Sequence, residues 1–309
     1  MRFIGIKIAF LAENRYFCTD KRTMKRNHVV IMAGGVGNRL YPLSTPEHPK
    51  QFIDLLDCGK TLIRLTYERF LEVDPQAEFW VVTSARYTHF VRELLPEVPA
   101  DQILAEPEPR NTAPCIAYAS WKIRCKDPLA NIVVTPSDAY VPDCKAFAAT
   151  LRTALAFTAE RPAIVCVGIQ PDFPHTGYGY IHAPGATDAV VKVASFKEKP
   201  SLEVAEGYLA AGGYFWNAGI FVWNLDTIEE ELRRHAPQIC GVMDELAPAL
   251  FTPDEETALA RLFPQCEKIS IDYAVMEKST EVYMIPGHWT WSDLGSFEAI
   301  EKITGKKLK

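Results

Sequence analysis

A chain of 309 residues with 48% hydrophobic and 23% charged side chains can bury a large core, which excludes a disordered or fibrous protein. Its 39 acidic residues outnumber 33 basic ones for a net charge of -6, so there is no cationic excess with which to neutralise a nucleic-acid backbone. Eight cysteines are scattered with no C-x-x-C pair, which in a chain of this size points to reduced thiols in the cytoplasm rather than disulfide staples.

Residues 1–27 contain an apolar run, Phe3 to Leu11, broken by Lys7 and followed at once by Glu13, Asn14 and Arg15. That is a poor signal peptide, and no stretch is long enough to span a bilayer. These residues are expected to form an N-terminal extension, with Met24 just ahead of the first strand. The run 28–32 predicts a short buried strand ending in a glycine loop. Residues 61–72 predict a helix with Ile63, Tyr67, Phe70 and Leu71 on one side. A strand at 78–83, a helix at 85–95 that stops before Pro96, and a strand at 102–105 follow. Ile116, Ser120 and Ile123 recur at helical spacing in 112–124, and 131–135 is another apolar strand. Phe147, Leu151 and Leu155 predict a helix over 146–157, followed by a strand at 163–169.

This alternation predicts an α/β fold, a mostly parallel mixed sheet with helices on both faces. After Gly177 the pattern changes. Strands are expected at 177–183 and 189–197 around a turn at 184–188, and an aromatic-rich strand at 214–223. Helices near 225–234, 239–247 and 271–277 and a strand at 281–285 complete the pattern.

Ligands of such sheets bind beyond the carboxyl ends of the strands. The loop Gly34-Gly35-Val36-Gly37-Asn38-Arg39-Leu40 falls there. Its glycines let backbone N–H groups approach phosphate oxygens, and Arg39 adds a planar cation. A Walker A loop is excluded because no Gly-Lys-Ser/Thr follows, and a dinucleotide fingerprint needs a small residue where Leu40 stands. By itself the loop reads equally well as a plain strand-to-helix turn. Glu106 after the third strand and Asp138 after the fourth also lie at this edge.

The loop is followed by Pro42-Leu43-Ser44 and Pro49-Lys50-Gln51-Phe52. The run from Gly34 to Phe52 resembles the signature of the sugar-1-phosphate nucleotidyltransferases, and its Pro-Lys-Gln-Phe ending resembles the mannose-1-phosphate guanylyltransferase branch. Asn38 stands where that family usually has Thr. Further matching segments are 106–114, Thr135-Pro136-Ser137-Asp138, Gly177-Tyr178-Gly179-Tyr180-Ile181, 196–200, 216–221, 270–278 and Trp291-Ser292-Asp293-Leu294-Gly295-Ser296. The resemblance thus covers roughly residues 28 to 300 in order.

It implies a Rossmann-like three-layer α/β/α nucleotidyltransferase fold over 28–309, with a nucleotide-binding half at about 28–170 and a sugar-phosphate-binding half at about 171–309. Gly34, Gly35, Gly37 and Arg39 would hold the nucleotide phosphates. Glu106, Asn111 and Thr112 would lie at the base, where a carboxylate can accept from both N1–H and the exocyclic amine of guanine. Asn111 or Thr112 is also a natural helix N-cap. Asp138 and Asp293 would together hold Mg²⁺, although either alone reads as a turn or cap aspartate. Tyr178, Gly179, Glu198, Lys199 and Asn217 would bind the sugar phosphate, and 270–278 would begin a helix lining the sugar pocket. Arg39 and Lys50 would stabilise departing pyrophosphate.

The implied reaction is GTP plus mannose 1-phosphate giving GDP-mannose and pyrophosphate in the cytoplasm, without nucleic-acid or membrane partners. A homodimer is an expectation from the resemblance only. Ala139 departs from the family, which usually has His there. That departure keeps open a chain that binds nucleotide-sugar without turnover, as well as the same fold acting on another hexose phosphate or base. Relatives often continue into a β-helical tail or an isomerase domain, neither of which is expected within these 309 residues.

Overall fold

Strands that are apolar at nearly every position must be covered on both faces, and this molecule covers them. The computed structural model describes residues 26–307, so the extension expected at 1–27 lies outside the described residues except for its last two. Asn27 already belongs to the first strand, β1 (Asn27–Met32). Helix α1 (Leu62–Val73), strand β2 (Glu78–Ser84), helix α2 (Thr88–Leu94) and strand β3 (Ile103–Glu106) follow. Next come α3 (Thr112–Lys126), β4 (Asn131–Pro136), α4 (Cys144–Glu160) and β5 (Ile164–Ile169). Every helix and strand expected up to this point is present.

Alternation along the strands sends side chains to two cores. Val30, Trp80, Ile132 and Trp223 pack on one face against α3, whereas Val29, Ile31, Val81 and Val222 pack on the other with Phe70, Phe147 and Leu151 of α1 and α4. Three layers result, α/β/α.

The later half is more irregular. Strand β6 (Tyr180–His182) is shorter than the expected 177–183. The single strand expected at 189–197 is two, β7 (Val191–Lys192) and β8 (Ser195–Lys197), because the chain changes partners between them. Val193 N–H donates to Val282 O, and Ala194 N–H donates to His182 O. Helix α5 (Leu202–Ala211), strand β9 (Tyr214–Asn224), helices α6 (Leu225–His235), α7 (Pro237–Leu246) and α8 (Glu255–Leu262), strand β10 (Val282–Gly287) and helix α9 (Phe297–Thr304) complete the chain. Helices α5 and α8 escaped the periodicity argument because they bury almost nothing, Ala205 in one and Leu259 and Leu262 in the other. The Ser201 cap and the left-handed Gly212 at the ends of α5 are signals that mark it. The helix expected at 271–277 is a π-helical turn, Asp272–Met276.

The main sheet runs β3-β2-β1-β4-β9-β5-β10-β7. Strands β3, β2, β1, β4, β5 and β10 point one way; β9 and β7 run against them. The chain reverses its order of travel at β1, so a crevice opens between the carboxyl ends of β1 and β4. Because β9 is antiparallel, its beginning rather than its end reaches that edge: Trp216 lies beside Ile169 and Asn217 beside Gly168. Among the described residues no helix is long and apolar enough to cross a membrane.

Candidate active site

The glycine loop leaves β1 and is held in shape by the residues that follow it. Gln51 Nε2 donates to Ala33 O at 3.1 Å and to Gly35 O at 2.8 Å, and Ser44 Oγ donates to Val36 O at 2.8 Å. Gly37 has φ +70°, and a Cβ there would lie 2.9 Å from Ser44 Oγ and 3.1 Å from Lys50 Cγ. Only glycine meets both demands. Phe52 anchors the segment by stacking on Phe90. Gln51 and Ser44 therefore shape the site, a role that sequence reasoning did not assign them although both lie in the quoted motifs. Arg39 stays 71% exposed over the cleft, its guanidinium 3.8 Å from Asp293 Oδ2.

Asp138 and Asp293 come together through Lys50. The buried Lys50 ammonium lies 3.0 Å from Asp138 Oδ2 and donates to Asp293 O at 2.7 Å. Leu294 O sits 3.5 Å away, presented by a left-handed backbone at Leu294 (φ +48°). A two-way backbone bridge between Tyr140 and Ser292 ties the two aspartate segments directly. Leu40 and Leu294 pack in one small cluster with Leu62 and Ile300, so the glycine loop is fastened to the same unit.

Neither aspartate caps a helix. Asp143 caps α4 and Ser296 caps α9. Asp293 Oδ1 instead accepts from Tyr178 Oη at 2.7 Å and from Gly295 N–H at 3.0 Å. Both carboxylates are about a quarter exposed, at 26%, and both front one cavity. Among the described residues no three-ligand cage of His, Cys, Asp or Glu exists. Two open carboxylates suit a hard divalent cation that takes its remaining ligands from phosphates and water.

On one side of this pair lies Glu106, at the carboxyl end of β3. It is 7% exposed, and its Oε1 is buried without a hydrogen-bond partner. Burial raises its pKa to about 8, only partly opposed by a hydrogen bond from the Cys115 thiol. Its Oε2 lies 3.5 Å from where a Cβ on Gly34 would stand, so it borders the glycine loop. Asn111 caps α3 by accepting from Thr112 N–H at 3.0 Å, in a left-handed conformation (φ +69°). Thr112 Oγ1 accepts from Ile271 N–H at 2.9 Å. Here the capping expectation holds for Asn111, and Thr112 beside it ties α3 to the start of the π-helical turn.

On the other side is a cavity of about 220 Å³ whose walls include Tyr178, Gly179, Glu198, Asn217 and Asp272. A Cβ on Gly179 would stand 2.5 Å from Glu198 Oε2, so glycine is what admits that carboxylate. Lys199 has a left-handed backbone (φ +47°) and its ammonium lies 2.7 Å from Glu198 Oε1. Burial works against this ammonium, but its hydrogen bond to Glu198 prevails and its pKa is raised. Asn217 Nδ2 donates to Asp272 Oδ1 at 3.0 Å, and Asn217 Oδ1 accepts from Gly219 N–H at 3.0 Å. The 270–278 segment is expected from the sequence to line the sugar pocket, with no residue in it singled out; that Asp272 faces the same cavity as Glu198 is a tertiary fact. A wider cavity of about 800 Å³, walled by Tyr178, Trp216 and Trp291, joins at Asp293. Of the residues expected at the site, Thr112, Asp138, Tyr178, Gly179, Glu198, Asn217 and Asp293 line one cavity, while Arg39, Lys50, Asn111 and Lys199 touch members of that set and Glu106 borders the glycine loop.

A family model described as nucleotidyl transferase matches residues 28–309. The mannose-1-phosphate guanylyltransferase of Escherichia coli (strain K12) is 36% identical over 290 residues, 89% of this chain and 59% of that protein. The alginate biosynthesis protein AlgA of Pseudomonas aeruginosa is 35% identical over 286 residues, 90% of this chain and 58% of that protein. The chain therefore spans less than two thirds of the length of these curated relatives. A solved structure from Thermus thermophilus, called a mannose-1-phosphate geranyltransferase, superposes with a TM-score of 0.80 at 32% identity, covering 91% of this chain and 80% of that one. A UDP-glucose pyrophosphorylase complexed with UDP-glucose shares the fold at a TM-score of 0.56 and 14% identity, covering 91% of this chain and 98% of that one.

Proposed function

The chain belongs to the nucleotidyl transferase family, and on that footing we propose that it transfers GMP from GTP to mannose 1-phosphate, releasing pyrophosphate and GDP-mannose. The observation that carries this reading is the cleft itself. Asp138, whose carboxylate meets Lys50, and Asp293, whose backbone carbonyl meets the same ammonium, stand near the buried Glu106 with its unpartnered Oε1 and front a cavity lined by Glu198 and Asn217, with Lys199 paired to Glu198. The relatives named above as acting on mannose 1-phosphate share this length of chain.

The nucleophile needs no protein base, because the second pKa of a phosphate monoester is about 6 and the sugar phosphate is largely dianionic at neutral pH. Its oxygen forms a bond to the α-phosphorus of GTP as the bond to the bridging oxygen of pyrophosphate breaks. The chain's task is to hold two polyanions in line. The glycine loop and Arg39 grip the triphosphate, and Lys199 holds the attacking phosphate. Asp138 and Asp293 are the residues that would hold Mg²⁺, which when bound offsets phosphate charge. In the present geometry the Lys50 ammonium faces Asp138 Oδ2, Asp293 O and Leu294 O. It stabilises departing pyrophosphate once a phosphate oxygen replaces one of those partners. Glu106, when ionised, accepts from the two adjacent donors of guanine, with Asn111 and Thr112 beside the base.

Ala139 takes the place where His is usual, yet the segment stays put: Arg69 Nη2 donates to Ala139 O at 2.8 Å. A cytoplasmic location follows from these substrates. The test is pyrophosphate release, with Mg²⁺, across a panel of nucleoside triphosphates and hexose 1-phosphates. GTP with mannose 1-phosphate should give the highest kcat/KM. Absence of release with every pair, from folded protein, would overturn the reading in favour of a nucleotide-sugar-binding module.

A further inference from the structure

Among the described residues, the walls of the sugar-side cavity include carboxylates but no lysine or arginine. Glu198 and Asp272 both face it, and Lys199 is engaged with Glu198 at 2.7 Å. Asp272 receives side-chain donors from Asn217 Nδ2, at 3.0 Å, and from the Ser270 hydroxyl of its own turn. The Asn217 amide is itself fixed by Gly219 N–H on its oxygen, so it cannot turn to offer Asp272 a different atom. The carboxylate is presented from a π-helical turn, a conformation that occurs disproportionately at functional sites. That turn is pinned to the start of α3 by the Ile271–Thr112 and Ala113–Ile269 hydrogen bonds.

Two acceptors that face one small cavity, Glu198 buried and Asp272 half-buried, call for a ligand that brings donors without bringing negative charge. A neutral sugar ring does this with its hydroxyl groups. We propose that Asp272 is a hexose-binding residue that, together with Glu198, forms a paired acceptor for sugar hydroxyls and rejects sugars bearing a carboxylate. This rests on the sugar-phosphate reading above and adds to it the residue and the charge rule that select the sugar. Burial first and the neighbouring Glu198 charge second raise the Asp272 pKa to about 6, as expected of two carboxylates that share one small space.

The experiment compares wild type with Asp272→Asn. Substrates are mannose 1-phosphate, its single-position deoxy analogues, and the 6-carboxylate analogue of the same sugar phosphate. The substitution should raise KM for mannose 1-phosphate about tenfold or more, while kcat and KM for GTP change less than about threefold. One deoxy analogue should lose no further affinity in the variant, because it lacks the hydroxyl that Asp272 accepts. Discrimination against the 6-carboxylate sugar should fall about tenfold, a charge effect that a purely structural role would not produce. Equal further losses for every deoxy analogue, with discrimination unchanged, would overturn the proposal and leave Asp272 as a prop for Asn217. Asp272→Ser repeats the test if the asparagine variant does not fold. If wild type shows no turnover, the transferase reading fails separately, and calorimetric binding of the same sugar phosphates decides Asp272 by the same differences. Absence of any sugar-phosphate binding by wild type would overturn both.

Discussion

Glu106, with a pKa raised to about 8, is largely neutral at pH 7 in the free protein. To accept from both guanine donors it must ionise, so GTP binding should release a proton. Affinity for GTP should then increase as pH rises from about 6 to 8, approaching tenfold per unit at the steepest. ATP, which lacks the donor pair, serves as the control for ionisation of the phosphates, and Glu106→Gln should abolish the difference between the two nucleotides. A GTP pH profile parallel to that for ATP in wild type would remove Glu106 from base recognition. The same shift carries a stability consequence. Between about 4.5, its usual value, and about 8, the unfolded chain sheds this proton while the folded chain keeps it, so stability falls as pH rises through that window. Glu106→Gln should flatten that part of the slope by up to a few kcal/mol, read from denaturant melts at pH 5 and 8.

At the scale of elements, the site is built mostly from loops that regular structure holds at its edge. Three non-glycine residues with left-handed backbone, Asn111, Lys199 and Leu294, border the cleft. Such conformations cost about 1–3 kcal/mol each and persist where surrounding packing imposes them. In the glycine loop the same conformation falls on Gly37, where the neighbours also leave no room for a side chain. Gly37→Ala should destabilise the protein by about 1–3 kcal/mol and raise KM for the nucleotide, because Ser44 and Lys50 must both shift. Thermal melts and nucleotide kinetics check this. Wild-type behaviour in both would mean that the loop is not pinned as its contacts suggest. Helix α5 shows the converse: with only Ala205 buried, its caps rather than its packing mark its ends.

Across the whole molecule, the sheet joins segments that the chain separates widely. Asp138 follows β4, Asp293 follows β10, and Lys50 comes from the loop after β1, yet all three meet. Asp138→Asn and Asp293→Asn should each lower turnover on the order of a hundredfold or more. The double variant should lose little beyond either single one, because each change disables the same centre. Circular dichroism should show all three variants folded. Multiplying losses would mean that the two carboxylates act independently and would sink the shared-cation assignment.

The amino-acid sequence by itself determined the alternation of strands and helices up to β5, the sheet with two covered faces, and the position of the glycine loop, Glu106 and Asp138 at strand ends. These are local properties: apolar period, turn residues and the sharp exit from a strand are written into neighbouring positions. The ordered motifs added Asp293, Glu198 and Asn217 as candidates, although no spacing along the chain places them near Asp138. Only the tertiary structure decided that β9 enters between β4 and β5 in reverse, which carries Asn217 to the same edge as Glu106. It also decided the splitting of 189–197, the Lys50 junction, and the facing of Asp272 with Glu198. Each depends on which distant segments lie side by side, and that is settled by how the whole core packs rather than by any short run of residues.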